Sequence, residues 1–290
     1  MEEITTESFV LETPSKDLLR GDLRWKEQAR EFQKKKLPVV IICHGFKAFK
    51  DWGPFPEIGK YFAKNGFVSI VINFSHNGIG VEPNKFVEHE KFSKNTITLE
   101  VEDIKTVLTE IQSNCFGYSF IDKSKVALIG HSRGGGVSII TAHEDERVKA
   151  MVAWSTIANF NRYTNDQKHR WREKGYIQLH SVSDHNLFRI STALLDDLEQ
   201  NIERFNILRA AEHLQKPMLL VHGTADIPAK IEESEKIYAV ADKTITDFIK
   251  LEGVGHMYGA KHPYKEESPT LNYILNITAD WLHKHLQTED

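Results

Sequence analysis

The sequence predicts an α/β fold: one domain over residues 1–290, built on a mostly parallel sheet with helices on both faces and interrupted by an insertion at residues 156–214. Two observations carry this. Short, nearly unbroken apolar runs such as Leu37-Pro-Val-Val-Ile-Ile-Cys43 suit strands buried on both faces. Segments with helical spacing separate them, and regular strand–helix alternation calls for right-handed crossovers and a covered parallel sheet.

The elements follow in order. Ser8 to Leu11 and Gly21 to Trp25 read as an opening hairpin, and Leu37 to Cys43 as the first buried strand. Pro54 to Asn65 forms a helix with Ile58, Tyr61 and Phe62 on one face, ended by Gly66 as a left-handed cap. Phe67 to Asn73 is a strand, and Ile97, Val101, Ile104, Val107, Leu108 and Ile111 mark a long helix. Lys125 to Gly130 is a strand, followed by a helix from Ser132 to Ala142 and a strand from Val148 to Ala153. Pro217 to His222, Ile231 to Ala241, Ile245 to Leu251 and Leu271 to Leu286 complete the alternation as strand, helix, strand and helix. The rhythm stops once, between Ala153 and Pro217. That stretch holds a polar, aromatic segment (Asn161 to Lys174) and a helical one (Ser191 to His213), and its length favours a lid or cap over plain connecting helices.

Composition narrows the function classes. The 290 residues are 40% hydrophobic and 27% charged, with net charge −4, which disfavours an electrostatic nucleic-acid binder. Lys34, Lys35 and Lys36 read as a solvated loop before a strand. There are two cysteines, Cys43 and Cys115, so neither a disulfide framework nor a zinc site is expected; Cys43 reads as a buried small hydrophobe. The chain carries no repeat or low-complexity tract, and its acidic start does not resemble a signal peptide. No apolar run approaches the roughly 20 residues of a membrane span. A cytoplasmic location without membrane association is the expectation. The oligomeric state leaves no sequence signal.

The chemistry sits at strand ends. Gly130-His131-Ser132-Arg133-Gly134 matches G-x-S-x-G between a buried strand and a helix. A sharp turn there lifts a serine Oγ clear of the sheet, and flanking glycines leave room for it. A serine needs a base. Asp226, in His222-Gly-Thr-Ala-Asp226, and His256, in Gly253-Val-Gly-His256, follow later strands in the order Ser, Asp, His. Taken singly, they would read as a turn aspartate and a surface-loop histidine. Together they propose Ser132 as nucleophile, His256 as general base and Asp226 as its orienting carboxylate. The backbone N–H groups of Phe46, in His44-Gly45-Phe46, and of Arg133 are the expected oxyanion donors.

These motifs, in this order, resemble the α/β-hydrolase superfamily. Within it they are similar to the dienelactone-hydrolase-like and feruloyl- or cinnamoyl-esterase-like serine hydrolases. The carrying residues are His44-Gly-Phe46, Gly130-His-Ser-Arg-Gly134, His222-Gly-Thr-Ala-Asp226 and Gly255-His256, and the likeness spans nearly the whole chain. The resemblance implies the α/β-hydrolase fold with an eight-stranded sheet, a Ser-His-Asp triad, no cofactor, and a cap insertion that shapes the acyl or alcohol pocket. Two departures matter. Dienelactone hydrolases proper carry cysteine where Ser132 stands. The His-Gly-Phe stretch replaces the His-Gly-Gly-Gly type, which disfavours esters of bulky tertiary alcohols.

Other signals are weaker. Arg20-Gly21-Asp22 is expected to open a strand rather than act as an adhesion motif. His283 and His285, two apart on a helix, make a poor metal pair, and no metal site is expected. Trp52, Trp154 and Trp171 are chiefly core candidates; Trp154, His76 and Tyr258 are also candidates for touching substrate. The leading reading is a carboxylesterase acting on a small-molecule ester through an acyl-enzyme. A peptidase, thioesterase or amidase on the same scaffold is the alternative, with Arg162, Arg170 or Arg172 available to hold a charged terminus. A non-catalytic binding module is the third reading.

Overall fold

The computed structural model describes residues 3–27, 36–180 and 187–286. Lys34 and Lys35 of the basic run, and residues 181–186 of the insertion, lie outside the described residues. Ten strands are described. Eight form the central sheet: β1 (Ile4–Glu12), β2 (Leu18–Lys26), β3 (Leu37–Cys43), β4 (Val68–Asn73), β5 (Ile121–His131), β6 (Val148–Trp154), β9 (Met218–Gly223) and β10 (Thr246–Leu251). Their order across the sheet is β1-β2-β4-β3-β5-β6-β9-β10. β1 and β2 pair antiparallel, as do β2 and β4, and the other pairings are parallel. The predicted fold class is therefore the observed one.

Alternation along a strand sends neighbouring side chains to opposite faces. Val39, Ile41 and Cys43 enter one core, and Val40 and Ile42 enter the other. The first core is covered by α3 (Ile97–Ser113) and α4 (Arg133–Glu144), through Val101, Ile104, Leu108, Val137 and Ile140. The second is covered by α1 (Phe55–Lys64) and α9 (Pro269–Leu286), through Ile58, Phe62, Ile274 and Leu282. Helix α8 (Ile231–Val240) adds Ile237 to the first core. Helix ends follow the expected chemistry: the Thr96 hydroxyl accepts from Leu99 N–H at the start of α3, and Gly66 follows α1 with φ of 83°.

The insertion contains more structure than expected. It holds α5 (Asn165–Lys174), a two-stranded antiparallel pair of β7 (Tyr176–His180) and β8 (Leu187–Ser191), then α6 (Ala193–Gln200) and α7 (Ile207–Glu212). The continuous helical stretch expected from Ser191 to His213 is thus two helices broken at residues 201–206. The β7–β8 pair escapes the sequence because each strand has five residues, too few for periodicity to register against a polar background. A short helix α2 (His89–Ser93) was likewise not anticipated.

Arg20-Gly21-Asp22 lies within β2, which starts earlier than expected, at Leu18, and its glycine and aspartate are structural. A Cβ at Gly21 would lie 2.3 Å from the Phe9 ring, which covers it across the β1–β2 register. Asp22 Oδ1 accepts from Ser8 Oγ at 2.8 Å, and Oδ2 accepts from Arg24 Nη2 at 2.8 Å and Lys50 Nζ at 2.9 Å. Burial alone would raise this carboxyl, but the Lys50 hydrogen bond and charge, with Ser8 and Arg24, hold it below the ordinary range. The sign is that of a depressed acid: its stabilisation is present above about pH 4 and is lost as pH falls through the lowered folded value. Asp22→Ala strands the buried Arg24 charge and is expected to cost about 3 kcal/mol in denaturant unfolding, against about 1 kcal/mol or less for Ser8→Ala. Equal effects would show that the ion pair does not dominate.

Candidate active site

The sheet places the chemistry at one edge. From β3 the chain winds first to β4 and then, in the opposite direction, to β5, β6, β9 and β10. The crevice at such a reversal, outside the strand C-terminal ends, is where open α/β sheets bind ligands. His44-Gly45-Phe46 follows β3, Ser132 follows β5, Asp226 follows β9 and His256 follows β10.

Ser132 sits between β5 and α4 with φ 55° and ψ −122°, a conformation that side-chain-bearing residues rarely adopt. The turn is held by Ser132 N–H donating to Trp154 O at 2.9 Å and by Gly135 N–H donating to Ser132 O at 3.0 Å. Only glycine fits around it. A Cβ at Gly130 would lie 2.4 Å from Gly134 O, and one at Gly134 would lie 2.4 Å from His44 O. Gly45 packs against Ser132 so closely that a Cβ there would sit 3.0 Å from the serine Cβ. Arg133 opens α4, where the first-turn N–H groups have no intrahelical acceptor.

Asp226 is buried and accepts from three directions. His256 Nδ1 lies 2.8 Å from Oδ2, and Ala229 N–H donates to Oδ1 at 3.0 Å. His222 Nε2 lies 3.2 Å from Oδ2 and 2.7 Å from Ala229 O, while its Nδ1 lies 2.7 Å from Ser234 Oγ. Burial would raise the Asp226 carboxyl, but the hydrogen bonds from His222 and His256, the His256 charge and the Ala229 N–H bring it well below the usual range. His222 was not singled out from the sequence. Its signal was its place four residues before Asp226 in the same motif.

Two further histidines flank the site and are held neutral. Burial lowers His44 to about 4. Its Nδ1 lies 2.8 Å from Gly45 O, and its Nε2 faces the Phe74 N–H and the Asn77 amide, both at 3.3 Å. Burial and the neighbouring His256 charge lower His131 to about 3. Its Nε2 lies 3.0 Å from His256 O, and its ring centroid is 4.7 Å from that of His256.

A cavity of about 780 Å³ opens at this edge. Its wall includes Ser132, His256, His131, Phe46 and Arg133, together with Trp52 and Phe55 from the scaffold. The insertion contributes Ile157, Phe160, Arg162, Tyr163 and Leu194. The Arg133 guanidinium stacks 5.1 Å above the Phe46 ring, and its Nε donates to the buried Glu100 Oε2 at 3.1 Å. Burial raises Glu100 even against the opposing Arg133 charge.

The three residues expected to touch substrate lie outside the lining of this cavity. Trp154 points into the second core, where its indole N–H donates to Thr278 Oγ1 at 3.3 Å. Tyr258 is buried there too, with its hydroxyl on Val221 O at 3.0 Å. His76 is buried against Ser75 and Asp17, away from the cavity wall. Nearness along the chain to a strand end does not decide which face a side chain takes. Trp52, expected chiefly in the core, packs against the second core and also lines the cavity, stacking on His262. Arg162 also reaches the wall, whereas Arg170 and Arg172 pair with carboxylates on the insertion surface. Among the described residues, no helix is long and apolar enough to cross a membrane, and no group of three or more His, Cys, Asp or Glu is placed to hold a metal ion.

The sheet order and strand-end geometry define an α/β-hydrolase fold, as expected from the motifs. Est1E from Butyrivibrio proteoclasticus shares it with a TM-score of 0.70 and 14% identity, over 97% of this chain and 99% of that one. The esterase domain of a Rhodothermus marinus protein shares it with a TM-score of 0.65 and 16% identity, over 97% and 99%. Residues 55–288 match the prolyl oligopeptidase family, and the chain belongs to that family. YuxL of Bacillus subtilis (strain 168), described as an uncharacterized peptidase, is 24% identical over 262 residues, which is 86% of this chain and 35% of YuxL. The chain thus spans about a third of that relative's length.

Neutral His44 and His131 make stability pH-dependent. An imidazole lowered by folding binds its proton more readily when unfolded, so its contribution is complete above about pH 6.5 and declines as pH falls toward 4. The unfolding midpoint is expected to drop across that window, and His44→Asn should flatten the slope. A midpoint constant from pH 7 to pH 4.5 would contradict the neutral assignment.

Proposed function

We propose that the protein is a serine hydrolase cleaving a carboxylic ester through an acyl-enzyme. The observation that carries this reading is the buried Asp226 hydrogen-bonded at 2.8 Å to Nδ1 of His256, with His256 and the strained Ser132 lining one cavity. His256 takes the Ser132 proton as Oγ attacks the acyl carbon. Asp226 holds the Nδ1–H tautomer and stabilises the imidazolium that forms. The Phe46 and Arg133 N–H groups receive the developing oxyanion, helped by the positive end of α4. The imidazolium then protonates the departing alcohol, and a water activated by His256 releases the acid. The insertion at residues 156–214 acts as the cap that shapes the acyl or alcohol site. Est1E, whose structure has been solved with ferulic acid bound, supports an ester as substrate. Membership of the prolyl oligopeptidase family and the likeness to YuxL favour a second reading, peptide or amide cleavage at the same serine.

A fluorophosphonate probe is expected to label Ser132, and Ser132→Ala should abolish both labelling and turnover. Asp226→Asn should retain the fold and lower kcat by about 10³ to 10⁴, because the wrong imidazole tautomer then faces the serine. Undiminished turnover in Ser132→Ala would overturn the assignment. Parallel assays with p-nitrophenyl esters and aminoacyl-p-nitroanilides decide between ester and amide: the ester reading expects esters to be favoured well beyond their intrinsic reactivity.

A further inference from the structure

The cavity carries a charge pattern that acyl transfer by itself does not require. Lys47, Arg133 and Arg162 line it, and no Asp or Glu does. The Arg133 charge is matched by Glu100. Arg162 is not matched: its Nη2 donates to the Pro228 carbonyl at 3.1 Å, and it makes no ion pair among the described residues. Lys47, exposed on a turn with φ of 62°, makes none either.

Of the insertion's other five arginines, four are paired with carboxylates, and Arg189 stacks on the Tyr176 ring at 4.9 Å. Arg170 is paired with Asp166, Arg172 with Asp196 and Glu199, Arg204 with Glu144, and Arg209 with Glu203. The insertion arginine that faces the cavity is left without a carboxylate. Burial raises the Tyr163 phenol, against the opposing charges of Arg133 and Arg162, so both guanidinium groups act on that one wall residue. Beside this charge lies an apolar surface of Phe46, Trp52, Phe55, Ile157, Phe160 and Leu194.

We propose that Arg162, assisted by Lys47, binds a carboxylate of the substrate, so that the preferred substrate is an anionic ester with an apolar or aromatic body. This rests on Ser132 being the acyl-transfer centre. An unpaired guanidinium at the mouth of a largely apolar cavity forms strong charge-assisted hydrogen bonds with a carboxylate and gains little from a neutral chain. Its planar fork also sets the carboxylate's orientation, and hence the depth at which the scissile carbonyl meets the serine.

Three phenyl esters of matched size test this on the full chain: phenyl hexanoate, monophenyl adipate with the charge on the acyl side, and 3-carboxyphenyl hexanoate with the charge on the leaving side. One anionic ester is expected to exceed the neutral one in kcat/KM by about tenfold or more, mainly through KM. Arg162→Gln should collapse that ratio, Arg162→Lys should restore part of it, and added salt should shrink it. Calorimetry on Ser132→Ala protein should show the same preference in binding, and the same loss when Arg162→Gln is added. The proposal is overturned if the neutral ester is equal or better in both assays, or if the anionic preference survives Arg162→Gln. Failure of the acyl-transfer reading looks different: no ester is turned over by the wild type, while the binding preference on the Ser132→Ala protein persists.

Discussion

The backbone of Ser132 is the constraint on which the site depends. A non-glycine residue at φ 55° and ψ −122° costs on the order of 1–3 kcal/mol and persists only where the surroundings hold it. Here β5 fixes one side and α4 the other, while the Trp154 carbonyl and the Gly135 N–H take up both backbone groups. The glycines at 130 and 134 are consequences of that turn: each would drive a side chain into a backbone carbonyl. Gly45 belongs to the same constraint from the neighbouring strand. It brings the His44-Gly45-Phe46 turn against the serine, which sets Phe46 beside Arg133 on the cavity wall.

The electrostatic organisation follows from burial. At the site, the buried carboxylate of Asp226 stays ionised because His256, His222 and the Ala229 N–H surround it with donors. The nearby His131 and His44 are kept neutral by the same low-dielectric surroundings. The result is selective. His256 is the partly exposed imidazole of the group, and its Nδ1 is already committed to Asp226. His131 supports it from below, through its contact with the His256 carbonyl. The histidine count of 14 is therefore a poor guide to the site. Position relative to strand ends and access to the cavity separate the histidines that matter.

The sheet was legible because its strands are continuous apolar runs and its helices repeat at a helical period. The same two patterns located the strand ends, and with them Ser132, Asp226 and His256. Pocket lining was less legible. Trp154 and Tyr258 lie next to strand ends, yet alternation and packing turn both into the core beneath. The Arg133–Glu100 pair and the His222–Asp226 contact depend on which buried groups find partners. One crosses between helices, and the other was visible only as an i, i+4 spacing within a loop motif. The β7–β8 pair was hidden because its strands are short and pair only with each other.

The insertion is tied to the scaffold through the helix that also supports the elbow. Asp197 of α6 accepts from the backbone N–H groups of Ile97 and Thr98, capping the start of α3 at 2.9 and 3.1 Å. Acceptance at a helix N-terminus is favoured by the macrodipole as well as by the orphan donors there. Ile97 and Leu194, on either side of that junction, both line the cavity. Glu100 lies less than one turn further along α3 and holds Arg133, the residue that follows the serine. The first turn of α3 therefore links the insertion, through Asp197, to the turn at Ser132, through Glu100 and Arg133. The insertion also touches the elbow directly, where Thr156 Oγ1 donates to the Ser132 carbonyl at 3.4 Å. The cavity wall at Ile97 and the Arg133 anchor at Glu100 thus lie on the same short stretch of chain.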